Sequence, residues 1–355
     1  MSRSRPYLQT LIFEITQRCN HNCIYCYNVW HADAEGQPSC YPKGELDTKG
    51  TLTLLNKALD ETTCNHVTLT GGEPLLRSDL KQILNLLAER DVRSTLISNG
   101  RLLTETAIVD LVEHGVVLFE LPLLSHNRET HDFLSGVSGA FDAALAAMTR
   151  IRCNHGKFIS VFVATKLNLS DLYNSIKIAF SFGASGLMLN RFNVGGRGRK
   201  HMDKLLPSPD QVSQMLAVAN DASAELNFPI SCSIAIQPCL VNIDAYPNLN
   251  FGFCAAGTQH AYYTLDPFGN LRPCNHTTMI LGNLLEEAFA DLIAPERLAP
   301  FVEAVPDFCF PCKLRNTCKG GCKAAAEVCY GSLRVEEPFL KRNKTFARPL
   351  LNRNN

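Results

Sequence analysis

The sequence predicts an α/β fold, a partial (β/α)6 parallel barrel followed by a smaller cysteine-rich domain. Two observations carry this expectation. Six apolar, often β-branched segments alternate with amphipathic ones over the first two-thirds of the 355 residues. Such segments suit strands buried on both faces of a parallel sheet. After Pro229 the helical periodicity fades and Cys, Pro, Gly and Asn become dense. Doubly wound α/β is the alternative that the pattern leaves open.

The strands are expected at Thr10–Ile15, His66–Thr70, Arg93–Ser98, Val116–Leu121, Phe158–Thr165 and Gly186–Phe192. Between them Leu80, Ile83, Leu84 and Leu87 share one helical face. Ile108, Leu111 and Val112 share another, started by Thr104 and stopped by Gly115. Phe141, Ala144, Leu145, Met148 and Ile151 repeat the pattern, as do Leu172, Ile176, Ala179 and Phe180. Val194–Lys200 is a Gly-rich, basic break, and Gly195–Gly198 within it is read as a mobile basic loop. Ser208-Pro209 then opens a helix to about Leu226, with a good N-cap and Pro at N1. The expected divisions are a barrel over 8–200, a linker helix region over 201–234, a cysteine-rich domain over 235–335 and a basic tail over 336–355.

Composition narrows the function. Lys+Arg and Asp+Glu both number 34, so no global basic field draws the chain to nucleic acid. No run of 18 apolar residues suggests a membrane span, and Met1–Pro6 leads into the first strand without a secretory signal. The expected location is cytoplasmic. Fifteen cysteines are far more than a cytoplasmic core uses, and a disulfide framework is not expected there. Metal or cluster ligation is the leading reading.

Cys19-x3-Cys23-x2-Cys26 follows the first strand, at the edge where parallel barrels build their sites. Three thiolates on one loop suit three irons of a [4Fe–4S] cube and leave the fourth open. The alternative is a zinc site completed by His21 or His31. The stretch Glu14–Tyr27, with Tyr25 as the aromatic before the third cysteine, resembles the radical S-adenosylmethionine (SAM) superfamily, and so does Thr70-Gly71-Gly72-Glu73-Pro74 after the second strand. The resemblance implies that Gly71, Gly72 and Glu73 bind the SAM amino group. It implies further cofactor contacts at Ser98 and Asn99, at Ser125 in place of a missing Asp, and at Arg191.

The later cysteines run Cys254-x14-Gly269-x4-Cys274, then Cys309-x2-Cys312-x5-Cys318-x3-Cys322, then Cys329. This resembles the SPASM domain, which implies two auxiliary [4Fe–4S] clusters and three in all. By that resemblance Cys309, Cys312, Cys318 and Cys329 hold the outer cluster. Cys254, Cys274 and Cys322 hold the inner one, completed by Cys239 or, second, Cys232. A zinc ribbon is the alternative. Cys40, Cys64 and Cys153 are read as structural, and His276, two residues after Cys274, stands out among the histidines.

The resemblance implies an enzyme that modifies a residue of a ribosomally made peptide through a 5′-deoxyadenosyl radical, fed by an external electron donor. Only Met1–Gln9 precede the first strand, so a separate leader-binding protein is expected. Sulfatase maturation is disfavoured because Asn275 stands where that branch has a basic Asp, and an amide takes no proton at neutral pH. Tailoring of a small metabolite or tetrapyrrole is the second enzymatic reading. An iron–sulfur electron carrier is the non-enzymatic one.

Overall fold

The computed structural model describes residues 5–31 and 41–345. Cys40 and residues 346–355 lie outside the described residues. The barrel strands are β1 Leu11–Thr16, β2 His66–Gly71, β3 Arg93–Ile97, β4 Val116–Pro122, β5 Phe158–Ala164 and β6 Leu187–Arg191. They lie side by side in chain order and all pair in parallel. A doubly wound sheet reverses its strand order at a switch point. This one does not, so the open alternative is resolved in favour of the barrel-type winding.

Alternation along the strands separates two environments. On β5, Phe158, Ser160, Phe162 and Ala164 are buried under the helices, while Ile159, Val161 and Val163 are half-buried and face the other side. The helices are α1 Thr48–Glu61, α2 Leu80–Glu89, α3 Glu105–Glu113, α4 Arg128–Ser135, α5 Ala140–Cys153, α6 Leu172–Ser181 and α7 Pro209–Leu226. The expected caps form. Thr104 accepts from the Ala107 amide, and Ser208 and Gln211 make a reciprocal capping box ahead of α7. The sequence reading did not single out α1 or α4. The apolar face of α1, which includes Leu54, Leu55, Ala58 and Leu59, is interleaved with Thr, Lys and Asn.

The expected division near residue 235 does not divide the sheet. Strands β7 Ile230–Cys232 and β8 Leu249–Phe251 add in parallel beyond β6. On the other edge β9 Tyr263–Leu265 pairs in parallel with β1, and β10 Asn270–Arg272 and β11 Gly282–Asn283 follow antiparallel. Strands from beyond the barrel thus cover the edges of β1 and β6, and the sheet's outer edges pass to β8 and β11. Two buried ion pairs fasten the cysteine-rich region there: Arg272 with Glu14 of β1, and Arg191 of β6 with Glu337.

The tail also differs from expectation. Residues Pro338–Asn343 form a helix whose Phe339 and Leu340 are buried, so the packed structure continues past 335. Among the described residues no helix is long and apolar enough to cross a membrane.

Candidate active site

The cysteine loop after β1 is held from two sides. The Asn22 and Ile24 amides donate to the Ser135 and Leu134 carbonyls at the end of α4, at 3.2 and 3.0 Å. On the other side the Gly198 amide donates to the Cys26 carbonyl at 3.0 Å, and Arg197 reaches the Cys23 carbonyl at 3.4 Å. The segment read as a mobile basic loop is therefore a packed 3-10 turn, Gly196–His201, with Gly196 and Gly198 buried. Its glycines serve close approach. A Cβ on Gly196, at φ +42°, would lie 2.5 Å from the Asn28 carbonyl oxygen and 2.7 Å from that of Cys26.

Burial pushes the Cys23 thiol up to about 12, and the neighbouring Cys26 and Cys19 add to it. Burial likewise raises Cys26 to about 11, against the Asn28 amide and Arg197, which favour its thiolate. Three thiols crowded on one loop repel one another once ionised, and a cationic metal centre relieves that repulsion.

The second motif closes over this loop. The Gly72 and Glu73 amides donate to the Thr16 and Arg18 carbonyls at 2.8 Å each. Side chains are excluded here. A Cβ on Gly71, at φ +127°, would meet the Thr16 oxygen at 2.2 Å, and one on Gly72 the Arg18 oxygen at 2.1 Å. Glu73 differs from its expected role. It is fully buried and accepts from Ser98 Oγ at 2.9 Å, the Asn99 amide at 2.8 Å and the Leu75 amide at 3.2 Å. Its carboxylate orders the loop after β3 and does not line the cavity.

That cavity, about 290 Å³, opens at the carboxyl ends of the barrel strands. Cys19, Cys23 and Cys26 line it, with Gly71, Gly72, Ser98 and Asn99 beside them. Asn190, Arg191, Asn193, Asn275 and His276 also contribute. One expected contact, Ser125, needs correction, and another, Arg191, has most of its donors already engaged. Ser125 is buried away from the cavity, where its hydroxyl bonds Asp171 at 2.5 Å and accepts from the Asn127 amide at 2.8 Å. Arg191 lines the cavity, but its Nε donates to the Ala235 carbonyl and its Nη2 to Glu337. Only Nη1 has no partner.

The sequence reading missed Glu120. On β4 it pairs in register with Ile97 and Ile159, and Ile97, Pro122, Val161 and Met188 share its side of the cavity. It is the one carboxylate lining the cavity among the described residues. Burial alone raises its pKa to about 7. The signal in the sequence was an acid within the otherwise apolar strand Val116–Leu121.

The later cysteines gather into two chambers. Cys254, Cys274 and Cys322 line one with Tyr262, His276 and Lys323. The Asn193 amide lies 3.3 Å from Cys322 Sγ, and the Tyr262 hydroxyl 3.9 Å from Cys274 Sγ. Ser233, Ile234 and His276 line both this chamber and the barrel cavity. Burial holds His276 down at about 4, so its ring is neutral near pH 7. The ring lies 4.0 Å from that of Tyr27, whose hydroxyl accepts from Asn275 at 2.9 Å.

The second chamber is lined by Cys239, Cys309, Cys312 and Cys318. This corrects the expected grouping. Cys239 stands with the outer set, Cys329 lines neither chamber, and Cys232 is buried in β7. Among the described residues no three Cys, His, Asp or Glu side chains converge on a single-ion position. The thiols line open chambers instead, which suits a multi-metal cluster better than one zinc ion. Soft thiolate sets of this kind select iron–sulfur clusters or zinc.

Comparison with known proteins identifies the barrel. Residues 13–178 match the radical SAM superfamily model. The chain is 25% identical over 346 residues to an AdoMet-dependent heme synthase of Methanosarcina barkeri, covering 93% of this chain and 95% of the relative. It is 24% identical over 338 residues to a PqqA peptide cyclase of Granulibacter bethesdensis, covering 92% and 86%. Among solved structures it superposes on Streptococcus suis SuiB bound to precursor peptide SuiA with TM-score 0.72, 15% identity, and 93% and 75% coverage. It superposes on anSMEcpe with bound AdoMet and Cp18Cys peptide with TM-score 0.68, 18% identity, and 96% coverage of both chains. The two superpositions show the shared fold. A radical SAM fold binds SAM and a [4Fe–4S] cluster. The barrel described here is such a domain over residues 13–178, a radical SAM enzyme domain.

Proposed function

We propose that the chain binds a [4Fe–4S] cluster through Cys19, Cys23 and Cys26, and SAM beside Gly71 and Gly72, to modify a residue of a ribosomally made peptide. The observation that carries this reading is the three-thiol loop facing a 290 Å³ cavity at the carboxyl ends of the strands, with no fourth thiol on its wall among the described residues. When bound, cluster and SAM together supply a 5′-deoxyadenosyl radical as the hydrogen-abstracting agent. The chain's own residues do the rest. Gly71 and Gly72 let backbone approach the cofactor, while Glu73 fixes Ser98 and Asn99 at the wall. The apolar face of Ile97, Val161 and Met188 keeps water from the reacting centre. Glu120, poised near neutrality on that face, accepts a proton or hydrogen bond from the substrate.

Support for a peptide comes from the PqqA peptide cyclase relatives and from the likeness to SuiB bound to its precursor. Electrons would come from an external donor. Two auxiliary clusters would occupy the later cysteine chambers. The heme synthase relatives favour a second reading, tailoring of a tetrapyrrole.

The test is anaerobic incubation of reconstituted protein with SAM and dithionite, first alone and then with candidate peptides or porphyrins. Wild type is expected to release 5′-deoxyadenosine. Cys19→Ala, Cys23→Ala and Cys26→Ala are expected to release none while keeping a wild-type circular dichroism spectrum. Release at the wild-type rate by any of the three would sink the assignment. Dependence of turnover on a porphyrin, with none on peptide, would move the function to the second reading.

A further inference from the structure

The chambers divide the later cysteines differently from their order in the chain. Cys239 lies 70 residues before Cys309, yet it shares a wall with Cys309, Cys312 and Cys318 and packs into the same small apolar cluster as buried Cys309 and Leu340. Apart from Arg315, the rest of that wall is uncharged.

Cys239 is displayed by a pinned turn. The Leu240 and Val241 amides donate to the Gln237 carbonyl at 2.9 and 3.1 Å, and the fully buried Gln237 side chain donates to Glu337. Glu337 also accepts from the Cys322 amide at 3.0 Å. Gly320 and Gly321, at φ +78° and +93°, carry the chain from one chamber to the other. A Cβ on Gly321 would lie 2.0 Å from Gln237 Nε2, and one on Gly320 2.5 Å from Pro306. Gly321 thus lets the Cys318–Cys322 segment lie against the turn that carries Cys239, and Gly320 lets it lie against Pro306, three residues before Cys309. Cys329 is differently placed. It lies on the helix Lys323–Tyr330, seven residues beyond Cys322 and about 10 Å along the axis at 1.5 Å per residue. It packs against the main core and lines neither chamber.

We infer that Cys239, Cys309, Cys312 and Cys318 together ligate one iron–sulfur cluster, that Cys329 is not a ligand, and that the inner chamber is left with three thiols, Cys254, Cys274 and Cys322. The donor set fits the group: four soft ligands on an otherwise mostly apolar wall. The inference rests on the proposal that these chambers hold auxiliary clusters, but not on SAM cleavage.

The experiment uses the full chain carrying Cys19→Ala, Cys23→Ala and Cys26→Ala, which removes the SAM-binding cluster from the count. Anaerobically reconstituted, this parent is expected to hold about eight irons per chain, two [4Fe–4S] sets. Adding Cys239→Ala is expected to lower the count to about four, or to about seven with a three-iron EPR signal. Adding Cys329→Ala is expected to leave iron and spectra unchanged. Cys239→Ser keeps a donor oxygen and decides the matter if the alanine variant is insoluble. It is expected to shift the Mössbauer parameters of one iron. Iron loss in Cys329→Ala, or spectra unchanged by both substitutions at Cys239, overturns the inference. So does a parent holding zinc in place of the second cluster. Failure of wild type to release 5′-deoxyadenosine would defeat the proposed reaction and leave this count standing.

Discussion

The ion pair between Arg191 and Glu337 allows a sharp test of how the barrel and the cysteine chambers are joined. Arg191 is 0% and Glu337 1% exposed at the side chain. The guanidinium also donates to the Ala235 carbonyl at 2.9 Å and lies 4.7 Å from the centre of the Phe339 ring. Glu337→Gln keeps an acceptor oxygen for Gln237 and the Cys322 amide but removes the counter-charge. A buried guanidinium left alone costs about 3–5 kcal/mol. At roughly 2 °C per kcal/mol for a chain of this size, the melting temperature of cluster-loaded protein should fall about 6–10 °C. Arg191→Met combined with Glu337→Gln removes both charges, and such neutral replacements are often tolerated. Arg191→Met alone, which strands the carboxylate, should also cost about 3–5 kcal/mol. The double variant should lie within about 2 kcal/mol of wild type, giving a coupling of at least about 4 kcal/mol. The assay is anaerobic thermal unfolding followed by circular dichroism, at matched iron content. A Glu337→Gln protein within about 1 kcal/mol of wild type, or a double variant whose loss equals the sum of the singles, would refute the reasoning.

Two further outcomes follow from the cavity wall. Gly72→Ala places a methyl 2.1 Å from the Arg18 carbonyl oxygen, so two backbone segments must part. SAM affinity by anaerobic equilibrium dialysis should fall at least about tenfold, roughly 1.4 kcal/mol, and unchanged affinity would contradict the close-approach role. Glu120→Gln tests the buried carboxyl. Its folded pKa of about 7 exceeds the ordinary 4.5, so the folded state holds its proton more tightly and wild type loses stability as pH rises between those values. The variant should match wild type at pH 4 and exceed it by up to about 3 kcal/mol at pH 8, read by denaturant titration. A difference that does not change with pH would show that Glu120 is not desolvated.

What could be read from the chain alone was local. Cys19, Cys23 and Cys26 share one short loop after a strand, so spacing suffices to bring them together. The alternation of apolar strands and amphipathic helices likewise encodes the barrel, since each element must bury a face against its neighbour. Gly195–Gly198 shows where such reading fails. Glycine serves both mobile loops and tight contacts, and only the packed Cys26 and Asn28 carbonyls decide that Gly196 belongs to the second kind. Ser125 failed similarly, because its side chain turns to Asp171, 46 residues away. Glu120 could be seen as an acid in an apolar strand, but its direction depends on strand register, where a slip of one residue reverses the face. The grouping of the later cysteines was beyond sequence spacing altogether. It depends on Glu337 and Gly321 meeting Gln237 at sequence separations of 100 and 84, contacts that exist only once the chain has folded around them.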